Sequence, residues 1–119
     1  MMMEVMMIEI TSVRGMRANT AKVGDARLVY VGRACAGWTG SVLGNPFRAV
    51  ANKPGATLPK YRRWLWQEMN KRGEVWLKVL EIVKLVEGGE KVVLGCWCNE
   101  SSCCHASVVR SAVLWVLGE

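Results

Sequence analysis

Four of the five cysteines and the only histidine of this 119-residue chain fall in one short run, Cys96-Trp97-Cys98-Asn99-Glu100-Ser101-Ser102-Cys103-Cys104-His105. Zinc takes thiolate and imidazole ligands, and iron–sulfur clusters take thiolates. Cys96, Cys98, Cys103, Cys104 and His105 are therefore a candidate ligand set for zinc or an iron–sulfur cluster, although the spacing is not the Cys-x-x-Cys knuckle. Thiol catalysis is a second reading. A cysteine at the amino end of a helix meets the positive end of the helix dipole, which favours the thiolate. A fall in thiol pKa from about 8.5 to about 7 would raise the thiolate from a few per cent to about half at neutral pH. Cys98, Cys104 and His105 are the candidate catalytic groups, with Cys104 and His105 the nearest pair. Packing is the third reading, since a cysteine also behaves as a small hydrophobe; it is favoured for Cys35, which stands apart.

The elements around the run place it. Lys91 to Cys98 is an apolar, β-prone stretch, and Cys104 or His105 to Leu117 repeats apolar residues at helical spacing (Ala106, Val109, Ala112, Val113, Val116). On a strand, residues two apart share a face, so Cys96 and Cys98 are expected to point together, away from Gly95 and Trp97. In open α/β sheets, ligands collect at the carboxyl ends of strands and the amino ends of the helices that follow. The cysteine run occupies such a position.

Upstream, alternation from Ile8 to Val13 predicts a short half-buried or edge strand, and Arg27 to Gly32 a strand covered on both faces. Arg33 to Thr57 lacks periodicity and holds Gly37, Gly40 and Gly44, the last opening Gly44-Asn45-Pro46-Phe47-Arg48. A glycine-rich loop directly after a strand can cradle phosphate with backbone N–H groups. Neither the Walker spacing nor Gly-x-Gly-x-x-Gly occurs, so Arg33, Gly44, Asn45, Pro46 and Arg48 are candidates for ligand binding on chemistry and position alone. Thr57 as cap and Pro59 in the first turn predict a helix that ends by Gly73. A second helix is expected over 74–87, stopped by Gly88-Gly89, with Glu74, Lys78, Glu81, Lys84 and Glu87 as one narrow polar stripe. So apolar a helix is buried on several sides or meets another subunit, and a homodimer contact is the alternative to core packing. The order β, β, loop, α, α, β, α predicts one small Rossmann-like α/β domain over 1–119, a short, mainly parallel sheet with helices packed on it.

Half the residues are apolar (51%), as in a globular chain. No apolar stretch reaches the roughly 18 residues a membrane span needs, so no membrane partner is expected. The beginning, with Glu4 and Glu9 and no basic segment, does not read as a secretory signal. An odd number of crowded cysteines suits a reducing compartment, hence a cytoplasmic protein. The net charge of +6 is uneven: residues 14–72 hold twelve Lys or Arg against Asp25 and Glu68, while the flanking segments are each −2. A basic middle points to an anionic partner, either a small nucleotide-like molecule or nucleic acid. Trp38, on the basic loop, is the one tryptophan placed to stack on a base.

Val29-Tyr30-Val31-Gly32-Arg33, Gly44-Asn45-Pro46-Phe47, Lys60-Tyr61-Arg62-Arg63-Trp64-Leu65, Leu94-Gly95-Cys96-Trp97-Cys98 and Cys104-His105 together resemble the family known as domain of unknown function 4326, of bacteria, archaea and their viruses. The resemblance covers roughly residues 27–117 in unbroken order. It implies an intracellular α/β domain and marks Gly44, Asn45, Pro46, Cys96, Cys98, Cys104 and His105 as its site, without implying a reaction. Two departures stand out. Members usually carry Pro in the loop after Cys-Trp-Cys and Gly after Cys-His; here the loop is Asn99 to Cys103, and Ala106 replaces the Gly. The leading expectation is a protein that binds or modifies a nucleotide- or nucleoside-like anion between the basic loop and the Cys/His-rich strand end. The rival is a basic nucleic-acid-binding module whose Cys/His cluster holds zinc or packs.

Overall fold

Five consecutive residues, Val92-Val93-Leu94-Gly95-Cys96, are each buried, which requires a strand with neighbours on both edges and cover on both faces. The computed structural model, which describes residues 7–47, 56–97 and 105–118, makes this strand (β4, Val92–Cys96) the centre of a four-stranded sheet. In chain order the elements are β1 (Ile8–Ser12), β2 (Lys22–Val23), β3 (Ala26–Tyr30), α1 (Leu58–Asn70), α2 (Glu74–Glu87), β4 and α3 (His105–Gly118). The sheet order is β1-β4-β3-β2. β4 runs parallel to both β1 and β3, with Ser12 opposite Cys96 and Tyr30 opposite Gly95. All three carboxyl ends therefore lie along one edge. β2 is antiparallel to β3 across a tight turn in which Gly24 has φ +60°, a conformation that favours glycine.

The expected α/β class and mainly parallel sheet are thus present, and the three helices pack on one face. Val92, Leu94 and Cys96 point toward them and join Ile8, Tyr61, Leu65, Val79, Ile82 and Val109 in the main core. Val93 points the other way, with Val13, Leu28 and Trp38, and among the described residues that second face is covered by loops. The alternation expected at Cys96 and Trp97 holds, since Trp97 packs on the second face. Gly95 also faces it, and a Cβ there would lie 2.7 Å from Val13 Cγ1 and 3.0 Å from Leu28 Cδ1. Gly95→Ala should therefore cost about 1–2 kcal/mol through overpacking, read as a lower urea midpoint at unchanged slope. An unchanged midpoint would mean that the second face yields freely.

Helix α2 follows the packing reading. Val75, Val79, Ile82, Val83 and Val86 are buried, and Leu77, at 61% exposure, is the apolar exception. Thr57 differs from its expected role. It stands at the cap position of α1 in a helical backbone conformation, its hydroxyl makes no capping bond, and it accepts from Asn45 Nδ2 instead. The outer edge of β1 is met by α3, where Arg110 Nε donates to the Ile8 carbonyl at 2.8 Å. No helix among the described residues is long and apolar enough to cross a membrane.

Candidate functional site at the carboxyl edge

Two chain segments that leave the carboxyl edge, residues 13–20 and 31–47, carry Arg14, Arg17 and Arg33 and no acidic residue. The edge is cationic for that reason. The third exit, after β4, leads to His105, the first residue of α3.

His105 is buried, yet it is not sealed away from the loop. Its Nε2 lies 2.7 Å from the carbonyl oxygen of Val31, the residue that follows β3. A carbonyl can only accept, so the ring donates from Nε2. In the neutral ring this leaves the lone pair on Nδ1. Burial pushes the imidazole pKa below its ordinary value of 6.5, which favours that neutral form. The Val31 hydrogen bond and the electrostatic interaction with Cys96 pull it upward, and Arg33 adds to the lowering. Cys96, one expected thiol, and Arg33, one expected anion-binding cation, are near enough to influence His105 electrostatically.

Tyr61 completes the arrangement from α1. It is fully buried, meets the His105 ring edge-on at 5.1 Å, and donates its hydroxyl to the Leu43 carbonyl at 2.6 Å. Sequence reasoning passed over it as a core residue of a helix. The available signal was its phenol, because a tyrosine on a core-facing helical stripe must find an acceptor for its O–H.

The glycine loop is shaped largely by contacts with itself. A Cβ at Gly40 would lie 2.7 Å from the Ala34 backbone nitrogen, and one at Gly44 would lie 3.0 Å from Arg33 Cγ. Ala36 and Gly37, with φ +48° and +87°, form the tip of a small hairpin in which Cys35 and Trp38 bridge. Trp38 is 4% exposed and packs against Tyr30, with ring centroids 4.9 Å apart. It is no stacking platform for a base; it helps to cover the second face of the sheet.

Asn45 has an inward-looking role as well. Its Oδ1 accepts from the Phe47 N–H at 2.8 Å, the local turn that asparagine forms so readily, and its Nδ2 donates to Thr57 Oγ1 at 3.0 Å. Pro46 is exposed between them. The Gly-Asn-Pro-Phe motif thereby fastens the loop to the start of α1, leaving Arg33 as its exposed cation.

Cys96 lies in the main core at 1% exposure, its Sγ 3.6 Å from the Thr11 carbonyl oxygen. Cys35 is exposed on the hairpin it shares with Trp38, so it is not packed as a small hydrophobe as expected. Arg48, Cys98, Cys103 and Cys104 lie outside the described residues. Among the described residues no three His, Cys, Asp or Glu side chains gather as a metal would need. The structure thus brings Arg33, Gly44, Cys96 and His105 together and ties Asn45 into the scaffold beneath them.

The family model described as domain of unknown function DUF4326 matches residues 13–115, most of the chain. No curated protein and no solved structure matches it.

Proposed function

The chain belongs to that family, and we propose that it binds a nucleotide-like anion at the carboxyl edge of its parallel sheet, with Arg33 meeting the negative charge and His105 the polar group beside it. The observation that carries this reading is the 2.7 Å bond from His105 Nε2 to the Val31 carbonyl. It joins the start of α3 to the end of β3, so the arginine-bearing loop and the imidazole border one place. Open α/β sheets hold their ligands at such a carboxyl edge. The absence of acidic residues from 13–20 and 31–47 supports an anion over a cation.

The inferred chemistry is that of a neutral imidazole. Cys98 and Cys104, on either side of the same short connection, would supply the thiols of a processing reaction. The exposed thiol of Cys35 suits a reducing compartment, and we place the protein in the cytoplasm.

Calorimetric titration with nucleoside mono- and diphosphates tests the reading. Binding tighter than about 1 mM is expected, the level at which association is worth only about 4 kcal/mol. Arg33→Ala should weaken it roughly 10- to 100-fold, the range for losing a charge-assisted hydrogen bond. Arg27→Ala, on the far edge of β3, should leave it unchanged. Silence from every nucleotide at millimolar concentration would end the proposal.

A further inference from the structure

Helix α1 carries its charges in a pattern that its own stability does not explain. Its buried side is Tyr61, Leu65 and Met69. Opposite them, at helical spacing, stand Lys60, Arg63, Gln67 and Lys71, all exposed. At 1.5 Å per residue that stripe spans roughly 16 Å. Arg62 and Arg72 are exposed as well, and Glu68, the sole acidic residue of α1, is engaged by Lys71.

Both ends of the helix run against local preference. The first turn contains Lys60 and no acidic residue, and no side chain caps it. A cation there faces the positive end of the helix dipole, where an anion would be stabilising. Just past the other end, Arg72 adopts φ +58°, a conformation for which glycine is the usual choice. Its guanidinium is held 3.9 Å from the centroid of the Trp76 ring. A helix selected for stability alone would place Glu near Lys60 and Gly at position 72. Such local conflicts gather where a surface has a second task.

We propose that the outer face of α1 binds the phosphodiester backbone of nucleic acid through Lys60, Arg63 and Lys71, without reading base sequence. Three cations spread along 16 Å match a row of phosphates better than one compact anion. Trp64 and Trp66, which flank the stripe, are engaged with Tyr61 and Trp115, so the contact stays with the backbone. The Lys71–Glu68 pair is an exposed one, of the kind that yields readily to a phosphate. This surface lies on the side of α1 opposite Tyr61, and its binding does not depend on the carboxyl-edge reading.

Fluorescence anisotropy on the full chain, with a labelled single strand and a labelled duplex of equal length, provides the test. Three phosphate contacts predict that affinity falls roughly 20- to 40-fold as salt rises from about 50 to about 200 mM. The triple variant Lys60→Gln, Arg63→Gln, Lys71→Gln should lose at least about tenfold in affinity at low salt and flatten the logarithmic salt dependence by about two to three. Lys60→Glu adds a readout that a merely structural role would not produce. It should raise Tm by roughly 1–4 °C, because it repairs the first turn, while weakening binding. Lys84→Gln on α2 should remain within twofold. The proposal is overturned by no binding of either nucleic acid at low salt, by a triple variant within twofold of the parent, by Lys60→Glu binding as the parent does, or by Lys84→Gln losing as much as the triple variant.

Discussion

Tyr61→Ala is expected to lower stability by about 3–5 kcal/mol, the range for removing a buried aromatic side chain. Against a total of about 5–15 kcal/mol for a typical domain, that is about a fifth or more of what holds the chain folded. The size follows from what Tyr61 joins. Its ring packs beside Leu65 and Met69, meets His105 edge-on, and lies 5.6 Å from Trp64, while its hydroxyl satisfies the buried Leu43 carbonyl. Tyr61→Phe keeps the ring and removes only the O–H, leaving that carbonyl unpaired for about 1–3 kcal/mol. The two variants differ in a second way. Tyr61→Phe should slacken the loop through Leu43 and weaken nucleotide binding with the sheet intact, whereas Tyr61→Ala removes the support of the whole edge. Urea unfolding with constant slope measures both. If Tyr61→Ala shifted the curve by less than about 1 kcal/mol, Tyr61 would not be the post on which the edge rests.

What the sequence made legible was decided by how locally each feature is encoded. β4 is five β-prone residues in a row, and its burial needs no distant information to be foreseen. The helices announce themselves through Pro59, Gly73 and Gly88-Gly89. β2 escaped notice because Lys22 and Val23 are exposed and only two residues long, so no periodicity could mark them. Trp38 misled for a related reason. A tryptophan among arginines and glycines resembles a surface group, and its burial comes from Val13, Ala26, Leu28 and Val93 on the second face of the sheet, which no local pattern reveals.

The candidate site divides along the same line. That the loop after β3 and the start of α3 would lie side by side followed from the rule for carboxyl edges, and the bond from His105 to Val31 joins them across 74 residues of chain. Which atoms hold the edge together did not follow. The Gly-Asn-Pro-Phe run resembled ligand-binding residues, yet both ends of the Asn45 amide are committed to Phe47 and Thr57. Close approach at Gly40 and Gly44 likewise depends on where Ala34 and Arg33 come to lie, which no motif states. Arg110 gave no sign at all of its contact with the Ile8 carbonyl, a bond formed across 102 residues of chain. The motif marked the loop, and the loop's hydrogen bonds move Asn45 from ligand contact to support.

His105→Ala should cost roughly 2–4 kcal/mol, combining the loss of a buried ring with an orphaned Val31 carbonyl. Its more distinctive consequence lies in pH. The folded-state pKa of His105 is below the unfolded value of 6.5, so the unfolded chain takes up the proton first as the solution is acidified. The stability contributed by neutral His105 is therefore fully present above pH 6.5 and is lost as pH falls from there toward the folded-state pKa. Since the chain has a single histidine, a decline between pH 7.5 and 5.5, above the range of ordinary carboxylates, belongs to this one ring. His105→Gln retains an N–H donor for Val31 but cannot titrate, so its unfolding free energy should stay flat over the same interval. A parent protein as flat as the glutamine variant would show that protonation meets no burial penalty at this position, and the neutral imidazole at the start of α3 would lose its physical basis.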